Sequence, residues 1–211
     1  MNKIRDYTNQ VCLRGLIESM FPFIEIHTSR LKLRPYVKED LDDLHRIFID
    51  PQVRRYLCDD KIMPREWVAT EIENNTKCFE QHGFGQWSIL LKDNSELIGF
   101  CGFRFFYDNP PELQLLYGLS PQYWGQGLAT EAATAMIQYG FTEHKFQQII
   151  TNTDVENIAS VRVMERIGMR FVQRANKEGL DVLYYAISRE EYQFDRSLYS
   201  LHIKSDFSHH S

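Results

Sequence analysis

The 211-residue sequence predicts an α/β fold, a mixed sheet flanked by helices. Three observations predict it. Short runs near residues 25–35, 84–91 and 97–106 carry the alternation and β-rich composition of strands. Leu41, Leu44 and Phe48, and later Ala129, Ala132, Ala133, Met136, Ile137 and Phe141, recur at the spacing of an apolar helix face. The order of these elements is one strand, two helices, three antiparallel strands, then helix, strand, helix and two closing strands. Helices between strands in the second half imply crossovers, and therefore a mixed sheet.

Taken in order, residues 1–24 read as an N-terminal extension. Val11, Leu16, Ile17 and Met20 suggest a short amphipathic helix ended by Pro22, serving as a packed arm, a lid or a contact to a second subunit in a homodimer. The domain proper spans 25–192. Residues 25–35 read as one strand, and the first helix follows. Asp50–Met63 reads as irregular and polar. Pro64 suits the first residue of the next helix, with Trp67, Ile72 and Phe79 turned inward. Residues 84–91 and 97–106 form a meander about the turn at 92–95, and Asp108–Pro111 turns the chain into the fourth strand, Leu113–Leu119. A helix from Leu128, a buried strand at 146–153, a helix closed by Gly168, and strands near 170–175 and 181–188 complete the domain. The tail, 193–211, is aromatic and polar and carries no clear element.

Composition narrows the function classes. Net charge is −5 and the isoelectric point about 5.8, which argues against a nucleic-acid-binding surface. Cysteines 12, 58, 78 and 101 form no C-x-x-C pair, the pattern of reduced thiols rather than of a disulfide framework or zinc site. Arg5, Asp6, Arg14 and Glu18 interrupt any signal-like apolar run, and no stretch approaches the ~20 apolar residues of a membrane span. A cytoplasmic protein without a metal, a nucleic acid or a membrane as partner is the expectation.

The most telling stretch is Gln122-Tyr-Trp-Gly125-Gln-Gly127-Leu-Ala-Thr-Glu-Ala132. It joins a strand to a helix through two glycines, so bare amides and a positive helix end meet at one place, an arrangement that binds phosphate or pyrophosphate. Leu128 stands where a Walker loop needs lysine, and Thr130 where a dinucleotide fingerprint needs its third glycine. What remains, Gln-x-x-Gly-x-Gly, resembles the pyrophosphate loop of the GNAT acyltransferases. Asn157-Ile-Ala-Ser160…Gly168-Met169 is similar to the corresponding helix of that superfamily's RimJ/RimL-type branch. Thr28-Ser-Arg-Leu-Lys-Leu-Arg-Pro35 with Lys38-Glu-Asp40, and Asp181–Tyr192, agree with that branch too. The resemblance covers about residues 27–192.

The resemblance implies the GNAT fold, with a mostly antiparallel sheet splayed between its fourth and fifth strands, usually by a β-bulge in the fourth, which Gly118 could accommodate. It implies acetyl-CoA as co-substrate, held by Leu119, Gln122, Tyr123, Trp124, Gly125, Gln126, Gly127, Leu128, Ala129, Asn157, Ser160 and Arg162. Tyr123 and Trp124 also read as packing residues that brace the loop, and Arg162 and Arg166 as candidates for the 3′-phosphate or as solvated or paired arginines. The implied reaction moves an acetyl group to a primary amine, on a protein N-terminus or a small molecule.

That reaction needs an unprotonated amine, a fixed donor to the carbonyl oxygen, and a proton or dipole for the departing thiolate. Glu112, acting through water, is the candidate base. Gln114, where many relatives carry a carboxylate, cannot accept a proton. The carbonyl donor would be a backbone N–H near Tyr117–Leu119. Many relatives place a proton-donating tyrosine where Met164 stands; the resemblance gives Ser160, one turn earlier, an acid or sulfur-orienting role. Its competing reading is a hydroxyl bonded to its own helix. Asn157 could cap that helix, hold the pantetheine arm, or do both. Gln114 and Met164 keep a second reading in play, a CoA-binding sensor or assembly protein with little catalysis.

Overall fold

In the computed structural model, residues 24–106, 112–177 and 179–203 are described. Residues 1–23 of the expected extension and the Asp108–Pro111 turn lie outside them. The elements are β1 (Ile24–His27), β2 (Leu31–Pro35), α1 (Leu41–Ile49), α2 (Pro51–Leu57), α3 (Arg65–His82), β3 (Gln86–Leu91), β4 (Leu97–Phe106) and β5 (Glu112–Leu119). They continue with α4 (Leu128–Thr142), β6 (Gln148–Asp154), α5 (Ile158–Arg166), β7 (Arg170–Lys177), β8 (Leu180–Ser188) and β9 (Ser200–Ile203).

Nine strands form one sheet in the order β7-β8-β6-β5-β4-β3-β2-β1-β9. Every pairing is antiparallel except β5 with β6. The strand expected over 25–35 is two strands, because Thr28 closes a turn, its N–H bonding Leu31 O at 2.9 Å. The fourth and fifth strands of the sequence reading are therefore β5 and β6.

Each face of the sheet has its own core. Trp87, Ile89, Cys101, Phe103 and Leu115 pack with Ala132, Ala133, Met136 and Ile137 of α4. On the other side, Phe100, Leu97 and Tyr36 pack with Leu44, Ile47 and Phe48 of α1, Val53 of α2, and Val68 and Ile72 of α3. A buried ion pair fixes the approach to α1. Both Nη atoms of Arg34 donate to Asp40 at 2.7 and 2.6 Å, and Ser88 Oγ donates to Asp40 Oδ2 at 2.7 Å. A bidentate geometry with a further donor offsets much of the desolvation that a buried pair costs.

Two expectations are corrected here. Asp50–Met63 is not irregular throughout, because Pro51–Leu57 is a helix. Asp50 Oδ1 accepts from Gln52 N–H at 2.9 Å and Pro51 occupies the first turn, so the Asp-Pro pair is a start signal that polarity hid. The tail also has structure. Gln138 binds it on both sides, Nε2 donating to Asp195 O at 2.7 Å and Oε1 accepting from Asp195 N–H at 2.8 Å. Tyr199 Oη pairs with Thr142 Oγ1 at 3.0 Å, and β9 then pairs with β1 at the far edge of the sheet. Among the described residues, no helix is long and apolar enough to cross a membrane.

Candidate active site

The sheet opens where its one parallel pairing fails. β5 and β6 share a single register position, Gln114 with Ile150, followed by Thr151 Oγ1 donating to Leu115 O at 2.9 Å. Beyond that point the strands diverge. The β-bulge expected in the fourth strand is absent from its pairing with β4, which runs unbroken from Gly99–Leu119 to Phe106–Glu112. Gly118 has a different job: a Cβ there would stand 2.7 Å from Cζ of the buried Phe100.

The splay itself exposes backbone. Ser120 N–H donates to Ile98 O at 2.8 Å, so by the alternation of an antiparallel ladder the even residues of β5 bond back to β4. Leu115, Tyr117 and Leu119 turn theirs toward the gap. Leu115 O is taken by Thr151 and Leu119 O by Trp124 Nε1 at 2.8 Å. The N–H groups of Tyr117 and Leu119 face the opening.

A cleft of about 520 Å³ fills this gap. Gly125 and Gly127 form its head with φ of +73° and +78°, values that side-chain-bearing residues adopt at a cost. A Cβ on Gly125 would meet nothing within 4 Å, so the loop presents bare backbone to open space. Gly127 is the N-cap of α4 and brings no side-chain cap. The first N–H with an intrahelical partner is that of Glu131, bonded to Gly127 O at 3.0 Å, which leaves those of Leu128, Ala129 and Thr130 for another acceptor. Thr130 Oγ1, buried on the cleft wall, also has no partner.

Side chains brace this loop from behind. Trp124 does so through Leu119 O. Glu131 accepts from Thr28 Oγ1 at 2.6 Å, Arg30 N–H at 2.8 Å and Arg30 Nε at 2.7 Å, and Arg30 Nη1 donates to Gln126 O at 2.9 Å. Burial by itself would raise the Glu131 carboxyl; the bonds from Thr28 and Arg30 outweigh it and hold the group below the usual glutamate range. Gln126 Nε2 bonds Gln122 O at 3.1 Å, and Gln122 Nε2 reaches Glu96 at 3.4 Å, so both amides are partly used within the protein.

The opposite wall is the start of α5. Asn157 Oδ1 accepts from Ser160 N–H at 3.2 Å, the capping bond expected of it, which leaves its Nδ2 for the cleft. Ser160 Oγ lies 2.8 Å from Tyr117 Oη, and Tyr117 Oη also donates to Ser160 O at 3.2 Å. Tyr117 was missed in the sequence as a hydroxyl, because a tyrosine on a strand has no fixed spacing to a serine on a later helix. Burial pushes its phenol well above the ordinary value. Met164, where many relatives carry tyrosine, is wholly buried in the core. Arg162 and Arg166 line the mouth, and among the described residues neither is in an ion pair. Glu131 pairs instead with Arg30.

A second cavity of about 930 Å³ lies between α2, α3 and the sheet. Its polar lining includes Asp59, Glu71, Gln86 and Arg104. Arg104 Nε donates to Gln114 Oε1 at 2.8 Å, so the glutamine found in place of a carboxylate steadies a guanidinium. Neither the amide N nor the amide O of Gln86 has a partner. Asp59 and Asp60 both have positive φ, and Arg54 Nε holds Asp60 at 2.9 Å. Glu112 begins β5 on the same face as Gln114, and its side chain lies outside the described residues. Among the described residues, no group of three or more His, Cys, Asp or Glu could hold a metal ion.

Comparisons with known proteins bear on the family and the fold. The sequence model of the acetyltransferase (GNAT) domain matches residues 30–170. An uncharacterized N-acetyltransferase of Bacillus subtilis, YnaD, is 32% identical over 180 residues, spanning 80% of this chain and 99% of the relative. A GNAT acetyltransferase crystal structure from Bacillus anthracis superposes with a TM-score of 0.68 at 29% identity, covering 79% of this chain and 99% of that one. A ribosomal L7/L12 α-N-protein acetyltransferase solved with coenzyme A shares the fold, with a TM-score of 0.65 at 18% identity over 76% of this chain and 95% of that one.

Proposed function

The chain belongs to the acetyltransferase (GNAT) family, and from that premise we propose that it moves an acetyl group from acetyl-CoA to a primary amine by direct attack. The observation that carries the reading is the uncapped start of α4 behind two positive-φ glycines at the head of the splayed cleft. Five bare amides, on Tyr117, Leu119, Leu128, Ala129 and Thr130, face one opening. The residues present fit coenzyme A. The three at the helix start, with the loop of residues 122–127, suit a pyrophosphate. The two on β5 suit a pantetheine arm and a thioester oxygen.

In the transfer, the amine lone pair forms the N–C bond, the C–S pair leaves on sulfur, and the amine proton is lost to a base. Tyr117 N–H is placed to stabilise the oxygen that gains charge. Tyr117 Oη and Ser160 Oγ supply the hydroxyls on the wall facing the sulfur. A phenol raised by burial holds its proton more tightly than a thiol with an ordinary pKa near ~8.5, so the pair assists by hydrogen bonding rather than by giving up the tyrosine proton. By the same comparison the Ser160 hydroxyl, an even weaker acid, orients the departing sulfur by donating a hydrogen bond, with Tyr117 fixing it and solvent supplying the proton. Asn157 Nδ2 would hold the pantetheine arm and Arg162 the 3′-phosphate.

Glu112 is the proposed base. It stands five residues before Tyr117, about 17 Å along the strand at ~3.4 Å per residue. One water does not bridge that separation, so the proton would have to pass to Glu112 along a chain of several waters. The acceptor enters from the 930 Å³ cavity. The solved protein named for L7/L12 takes a protein α-amine, and that class together with small amines is the acceptor range proposed here.

Release of the CoA thiol, followed against a panel of peptide N-termini and small amines, tests the reading. Amine-dependent release supports it. CoA binding without release on any amine would instead establish a binding protein.

A further inference from the structure

Among the described residues the two cavities have just two lining residues in common, Leu57 at the end of α2 and Leu116 in β5. Both leucines pack against the core cluster that contains Phe48 and Phe100. Those two rings are stacked with centroids 5.1 Å apart, and Phe100 is wholly buried. The wall behind the leucines is therefore a close-packed layer with no slack into which they can recede.

We propose that Leu57 and Leu116 form the neck where acyl donor and acceptor meet, and that they fix the acyl group as a short one, acetyl in preference to longer unbranched chains. The proposal rests on the transferase reading above. A thioester laid along Tyr117–Leu119 and an amine entering from the other cavity can meet only where the two spaces adjoin. Tyr117 turns its N–H toward the cleft, while Leu116, one residue earlier, presents its side chain to the opposite cavity. An acyl group whose oxygen sits on that N–H therefore has its methyl end against Leu116, with Leu57 across from it. Each further methylene must enter the space the attacking amine needs. The sulfur end is unaffected, so discrimination arises in transfer and in acyl binding, not in the grip on the CoA moiety.

The test compares acetyl-, propionyl- and butyryl-CoA with one acceptor amine, using the full chain and thiol release. In the unmodified protein, kcat/KM is expected to fall at least tenfold from acetyl to butyryl, within the roughly 10- to 200-fold that a size-limited apolar pocket gives. In Leu116→Ala and Leu57→Ala the butyryl-to-acetyl ratio should rise at least tenfold. This ratio, taken within one preparation, does not depend on the fraction folded. Leu44→Ala, in the same core cluster but in neither lining, should leave the ratio where it was. Equal use of butyryl-CoA by the unmodified protein, or an unchanged ratio in both neck variants, overturns the proposal and leaves the transferase reading intact. If no amine is acylated, the transferase reading fails, and calorimetry decides the neck alone. Butyryl-CoA binding at least tenfold more weakly than acetyl-CoA, with the gap closed in the alanine variants, supports it; equal affinities sink it.

Discussion

The proposed cofactor cleft is built chiefly from main chain and the proposed acceptor cavity chiefly from side chains. At the head of the cleft the working groups are amides, set by two glycines, an uncapped helix and a ladder that stops after one register position. In the larger cavity they are Asp59, Glu71, Gln86 and Arg104, delivered by a turn, a helix and two strands far apart in sequence. A ligand common to a whole family can be gripped by backbone that is indifferent to side-chain drift. An acceptor that differs between relatives must be read by groups that can change.

Five substitutions press on that contrast. The largest effect is expected at the proposed base: Glu112→Gln should cut kcat/KM by ~10²-fold or more and flatten the acid limb of its pH profile. Glu71→Gln, removing a carboxylate of the 930 Å³ cavity, should keep the limb. If Glu71→Gln abolishes the limb and Glu112→Gln does not, the base is misassigned. On the main-chain half, Gly125→Val puts a β-branched residue at φ +73° and a side chain in the space meant for the ligand. CoA affinity measured by calorimetry should drop more than tenfold, about 1.4 kcal/mol. Undiminished affinity in a folded variant would show that the amides are not the grip.

Ser160→Ala removes the cleft-wall hydroxyl that is bonded to Tyr117 Oη. Turnover is expected to fall roughly five- to tenfold, the worth of about one hydrogen bond, with acetyl-CoA affinity little changed. Full turnover at every pH would make the serine structural. The smallest effect belongs to Glu131, a side chain that serves the backbone site from behind. Its folded pKa is depressed, so its stabilisation is complete above the unfolded value near 4.5 and is lost as pH falls through the folded value. Glu131→Gln should lower the melting temperature by about 2–4 °C at pH 7. The gap between variant and parent should close as pH falls below about 4.5. A gap that persists in acid would mean that packing, not charge, holds the loop.

The same division explains what could be read from the sequence. Gly125, Gly127 and Asn157 were legible because main-chain geometry demands particular residue types: glycine at positive φ, an amide or hydroxyl at a helix start. Apolar periodicity made most of the element order legible, but not the division of 25–35 into β1 and β2, nor β9, nor α2, which the Asp50–Pro51 start signal could have revealed. Tyr117 with Ser160 was not legible, because nothing local relates a strand residue to a helix residue 43 positions later. Arg30 and Glu131 are 101 positions apart, and their bond needs the fold itself to bring them together. The expected bulge was inherited from resemblance, whereas here the splay needs no irregularity between β4 and β5.

The pairing of β9 with β1 has a consequence for how the molecule is assembled. Ile24 lies opposite Ile203, so the first described strand finds its outer neighbour in the last. During synthesis the edge of β1 that β9 covers lacks that partner until Ile203 has been made, while β2 through β6 can already be paired. Closing so distant a contact adds little entropic cost once the intervening sheet exists, since that cost grows only with the logarithm of loop length. It does impose an order, in which the seam between the two ends is sewn last. Hydrogen exchange pulsed during refolding should therefore protect the amides of β3–β5 before those of β9.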